Sequence, residues 1–93
     1  LTRAVEADLV GIYREGAVRF GVAQVEAYFV ALIASFERIA ANPRLARLRM
    51  EIDPPVRIHP CGSHIVIYRE AALDGIEILR IRHGREDWDE AGR

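Results

Sequence analysis

The spacing of apolar residues changes once along this chain, at Pro54–Pro55, and that change divides it into a helical half and a strand half. Before the prolines, apolar residues recur every three or four positions, the period of one helix face. After them they alternate, the period of a strand. Two consecutive prolines lack backbone donors and hold φ fixed, so they belong to neither kind of element.

In the helical half, Thr2 can cap a helix from Ala4 to about Val18, with Val5, Leu9, Ile12 and Tyr13 on one face. Glu6 and Asp8 lie near its first turn, where the helix dipole favours acids; Gly16 weakens the pattern near its end. Gly21 marks a break. A second helix is predicted over Val22 to Ala41, with Val25, Phe29, Leu32, Phe36 and Ile39 on one face and Tyr28 and Ile33 widening it. Asn42–Pro43 stops it, because a residue before proline is pushed out of the helical region. So short a break implies an antiparallel hairpin, spanning about residues 4–41. Pro43 can open one further turn through Arg47.

In the second half, Val56–Pro60, Ser63–Arg69 and Ile76–Arg82 read as three strands, a sheet over about residues 56–82. Pro60 suits an edge, and Asp74–Gly75 is a turn signal. The expected fold is α+β: one domain over residues 1–93, with the helical hairpin on one face of a small antiparallel sheet and the other face partly open.

The 93 residues, 51% of them hydrophobic and 29% charged, suit a globular domain. A single cysteine, Cys61, excludes an intrachain disulfide and a cysteine zinc cluster, and fits a reducing cytoplasm. The longest apolar run, Ala27 to Phe36, is too short to span a bilayer, so no membrane partner is expected. A net charge of −1 argues against a general nucleic-acid surface. Every basic residue is arginine. Eight of these fall between Arg44 and Arg85, and an acidic tail follows over 86–93.

Candidate chemistry gathers in the strand half. Arg57, Arg69, Arg80, Arg82, His83 and Arg85 form a basic set suited to flat interfaces, since the guanidinium fork binds carboxylates and phosphates in pairs. Taken singly, each is an ordinary solvated strand end. Alternation puts Arg80 on the face of Ile76 and Ile78 unless a bulge intervenes; an arginine there needs a partner, and Glu51 is the candidate. His64 and His83 titrate nearest neutrality and can act as acid and base, with Arg57 and Arg80 holding a phosphate. A metal site from His59, His64 and His83 lacks ligand spacing, and no cofactor is implied. Trp88, flanked by Glu86, Asp87, Asp89 and Glu90, either folds back on the sheet or anchors a contact.

The series Phe20–Gly21, Gln24, Tyr28, Leu32, Phe36, Ile39–Ala40, Asn42–Pro43, Arg47, Glu51–Ile52 and Arg57 resembles the helical half of ParE-type toxins in the RelE/ParE superfamily. Gly62 to Arg69, Asp74 to Ile81, then His83–Gly84–Arg85 and Asp87 resembles their sheet half. The match spans nearly all of residues 2–87; Ala46 and Pro54–Pro55 depart from the family's usual glycines. The resemblance implies a preceding first strand that is missing or truncated here. It also implies a cytoplasmic toxin that binds DNA gyrase without catalysis, forming a hetero-oligomer with a ParD-like antitoxin. Arg57, Arg80, His83, Arg85 and Trp88 are then the expected target contacts. The hairpin's outer groove, with Arg14, Ile33, Arg38 and Ala40, is the expected seat of the antitoxin. Two alternatives stand beside this one. The first is a ribosome-dependent mRNA endoribonuclease of the RelE type using His64, His83, Arg57 and Arg80. The second is an inactive toxin kept as an antitoxin-binding partner.

Overall fold

A computed structural model describes residues 2–72 and 75–84. Its elements follow the expected order: α1 (Arg3–Phe20), α2 (Val22–Ala41), a 3₁₀ turn (Pro43–Leu45), then β1 (Leu48–Arg49), β2 (Val56–Cys61), β3 (His64–Glu70) and β4 (Ile76–His83). The four strands form one antiparallel sheet in the order β1-β2-β3-β4.

The local signals behave as their chemistry requires. The Thr2 hydroxyl accepts from the Val5 N–H at 3.2 Å and caps α1. Gly21, at φ 92°, closes α1 and opens α2: its N–H donates to the Ala17 carbonyl and its own carbonyl accepts from Val25. Asn42–Pro43 ends α2, and Pro43 starts the 3₁₀ turn. β1 has no counterpart in the alternation pattern, being two residues paired with Val56 and Arg57. Pro60 is tolerated inside the sheet because β1 pairs with β2 only at its start, which leaves the far end of β2 an edge.

The helix-facing side of the sheet carries the main core. Val5, Leu32 and Ile39 of the hairpin meet Val66, Tyr68, Ile78, Ile81 and Cys61 of the strands. Each fully buried aliphatic side chain here contributes roughly 1.5–3 kcal/mol of transfer free energy. The Tyr68 hydroxyl would be costly in this core alone, and it donates to the Pro43 carbonyl at 2.7 Å. Ser35, also buried, donates to the Cys61 sulfur at 3.1 Å.

Two expectations about the sheet change. The outer face is less open than expected: Ile52, Val56, Ile58 and Ile65 form a second buried cluster there, with Ile67 and Leu79 against it. Also, a bulge breaks the alternation of β4. Tyr68 pairs with Ile78 but Ile67 pairs with Arg80, so Leu79 is the extra residue. Arg80 and Arg82 therefore lie on the face opposite Ile76 and Ile78. Asp8, not Glu51, is the partner of Arg80, through a bidentate pair at 2.8 and 2.9 Å that wraps the free edge of β4.

Candidate functional site

The hairpin's outer surface is apolar where a two-layer domain should be polar. Val10 of α1 is 48% exposed, and Val30 and Ile33 of α2 are 72% and 46% exposed. Tyr13 and Phe29 meet edge to face between the helices, ring centroids 5.6 Å apart, and form the floor of the seam. Helical phase then sorts the candidate residues. Ile33 and Ala40, seven apart, return to nearly the same direction at about 100° per residue, on the flank of α2 that carries Phe29. Val10 and Arg14 lie one turn apart on the exposed side of α1. Arg38 lies elsewhere: its phase places it on the opposite flank of α2, and its guanidinium donates to the Ser35 hydroxyl at 3.1 Å. Beside it His59 is held below the ordinary histidine pKa, first by burial and then by the Arg38 charge. Helical phase thus puts Ile33 and Ala40 on one flank of α2 and Arg38 on the other, with Arg14 on the exposed side of α1.

A cleft of about 640 Å³ opens at the hairpin's closed end, between Phe20, Gln24 and Tyr28 of the helices and Ser63, His64 and His83 of the sheet. Strand register makes it: His64 begins β3 directly opposite His83, which ends β4, so the imidazoles meet with centroids 5.4 Å apart. Tyr28 holds the turn beneath them. Its Oη accepts from the Ser63 N–H at 3.0 Å, lies 3.1 Å from the Cys61 carbonyl, and lies 2.6 Å from His64 Nδ1. The single hydroxyl proton serves either the carbonyl or the imidazole. When it goes to the carbonyl, Nδ1 carries a proton and donates to Oη, a role that the neutral Nδ1–H tautomer of His64 already fills. Burial raises the Tyr28 pKa above 10.0, and the phenol stays neutral. Gly62 permits the close approach. It sits at φ +58°, and a Cβ there would fall 2.6 Å from Tyr28 Cε1.

The basic set is divided. Arg57 is on the helix-facing side, its side chain 11% exposed, donating to the Ala46 carbonyl at 2.7 Å and to Glu70 at 3.1 Å. Arg69 pairs with Glu77 on the outer side, where Arg80 and Arg82 also lie. Arg85 and Trp88 fall outside the described residues. Tyr28 was missed as a site residue because its helical spacing with Phe29 and Phe36 reads as core; a hydroxyl on an otherwise apolar face was the available signal.

A helical hairpin laid on one side of a four-stranded antiparallel sheet, with apolar residues exposed along the hairpin, makes a small α+β domain. Residues 1–88 match the family described as "ParE toxin of type II toxin-antitoxin system, parDE". Over 89 residues the chain is 38% identical to Toxin ParE1 of Mycobacterium tuberculosis, covering 96% of this chain and 91% of that one. Over 84 residues it is 34% identical to Toxin ParE3 of Caulobacter vibrioides, covering 90% and 83%. The chain belongs to the ParE family of type II toxins, the toxin components of toxin–antitoxin systems, which implies an antitoxin partner. Among the described residues no helix is long and apolar enough to cross a membrane.

Proposed function

We propose that this toxin inhibits DNA gyrase in the cytoplasm by direct binding, and that a ParD-like antitoxin neutralises it by laying an amphipathic helix along the outer groove. The observation that carries the binding reading is the fate of two arginines. A nuclease of the RelE type would need Arg57 and Arg80 aimed at a phosphate, yet Arg57 is committed to Ala46 and Glu70, and Arg80 to Asp8. Both support the scaffold, and the proposed contact falls to His83, packed against His64, with Arg85 and Trp88 following it in sequence. Purified gyrase tests this: micromolar toxin is expected to block supercoiling, with His83→Ala weakening the block about tenfold, as for a single interface anchor. Unimpeded supercoiling would discard the reading. In the groove, Ile33→Glu is expected to weaken antitoxin binding about 30- to 100-fold with the fold intact, because a charge would be buried at the centre of the contact. Titration calorimetry against the purified antitoxin reads this directly.

One observation favours the nuclease as a second reading: the touching imidazoles of His64 and His83, with Tyr28 behind them, supply an acid–base pair in a cleft. Mapping of mRNA 5′ ends after induction separates the two. Discrete cuts that vanish in a His64→Ala, His83→Ala variant support the nuclease, and their absence leaves gyrase binding.

A further inference from the structure

The rim from Arg44 to Met50, which follows the end of α2, carries a second set of exposed apolar residues. Leu45 is 49% exposed, Leu48 41% and Met50 70%. Chain looseness does not explain their exposure, because the backbone beneath them is pinned from the core at two points. The buried Tyr68 hydroxyl binds the Pro43 carbonyl, and the buried Arg57 guanidinium binds the Ala46 carbonyl, each at 2.7 Å. The rim's side chains are thus displayed from a fixed frame, which lowers the ordering cost of any contact they make.

Within 44–50 every charged residue is an arginine: Arg44 lies 3.8 Å from Glu70, and Arg47 and Arg49 lie 3.3 and 3.6 Å from Glu51. The exposed pairs made by Arg44 and Arg47 exchange readily for a better-placed partner. Arginine and methionine are the residue types that interface centres favour. A second copy of this chain would bring these arginines against their own images, a like-charge contact that disfavours self-association.

We propose that residues 44–50 form a docking surface for an acidic polypeptide segment of another protein, one that alternates carboxylates with bulky apolar side chains. Its carboxylates take Arg44 and Arg47, and its apolar residues cover Leu45, Leu48 and Met50. The surface is independent of the gyrase and antitoxin readings, which rest on other residues.

The test uses the full chain and a labelled dodecapeptide alternating glutamate and leucine, read by fluorescence anisotropy. Saturable binding is expected. It should fall about tenfold in an Arg44→Glu, Arg47→Glu variant and by a similar factor in a Leu48→Ser, Met50→Ser variant, all exposed positions whose thermal unfolding checks that the fold is retained. The Ile33→Glu groove variant should bind the dodecapeptide like the parent chain. No binding, equal binding by the rim variants, or equal binding of a lysine–leucine peptide would overturn the proposal. So would rim-dependent binding to phosphatidylserine vesicles with none to the peptide, or rim-dependent dimerisation in sedimentation.

Discussion

Asp8→Ala is expected to lower the unfolding free energy by about 2–3 kcal/mol, the cost of taking the bidentate acceptor from a part-buried arginine and the acceptor from a backbone donor. The Asp8 carboxylate, 12% exposed, takes two bonds from the Arg80 guanidinium and a third from the Ile81 N–H at 3.0 Å. It thereby ties α1 to the outer edge of β4, and without it Arg80 and that N–H lose their shared acceptor. Burial alone would raise the Asp8 pKa, but the Arg80 hydrogen bonds and the Ile81 N–H outweigh it, so the group sits below 3.8. A depressed carboxylate stabilises the fold fully above its unfolded pKa and loses that contribution as pH falls through the folded one. The gap in stability between the parent chain and Asp8→Asn, measured by urea unfolding, should therefore be constant at neutral pH and shrink below pH 3.8. A loss under about 0.5 kcal/mol at pH 7 would show the pair to be an ordinary surface bridge.

The second large effect is expected at Gly62. Alanine there meets two separate costs. A non-glycine residue at φ +58° loses roughly 1 kcal/mol. In addition, the new Cβ falls 2.6 Å from the Tyr28 ring and 2.8 Å from its hydroxyl. The ring cannot retreat freely, because its hydroxyl is held by Ser63, Cys61 and His64. A total loss of about 3 kcal/mol follows, comparable to overpacking a core. The two costs separate in a double-mutant cycle: in a Tyr28→Leu background Gly62→Ala should cost only about 1 kcal/mol, a coupling of about 2 kcal/mol. Additive losses would mean that the turn and Tyr28 are energetically independent. Because the same hub sets His64 against His83, Gly62→Ala is also expected to disturb the cleft before the protein unfolds.

Both effects involve contacts between residues far apart in the chain, and these are the contacts that a reading of the sequence left out. Helical period and capping located α2 to the residue, and the alternation of β2, β3 and β4 was legible within a residue or two at each end. The two-residue β1 was not, since so short a segment has no period and exists only because β2 lies beside it. Asp8 looked like a dipole-favouring residue of the first turn; its real partner stands 72 positions away. Arg80 was placed on the wrong face because one bulge residue, Leu79, reverses the phase of everything after it.

The candidate sites divide in the same way. The exposure of Ile33, Ala40 and Arg14 on the hairpin was legible from spacing, because a helix face is a local property. Helix phase puts Arg38 on the other flank of α2, where it donates to Ser35. The His64–His83 contact needed the β3–β4 register, and the role of Tyr28 needed the docking of α2 on the β2–β3 turn.

By itself the sequence determined the order and kind of the elements, the two-layer class and the family, because period, caps and turn residues act over a few positions. The tertiary structure alone decided which charges meet. Arg57 and Arg80 read in sequence as cations available to a target, and folding gave them Glu70 and Asp8 as partners. Ion pairing depends on distances of a few ångströms between segments whose separation in sequence carries no record of their proximity.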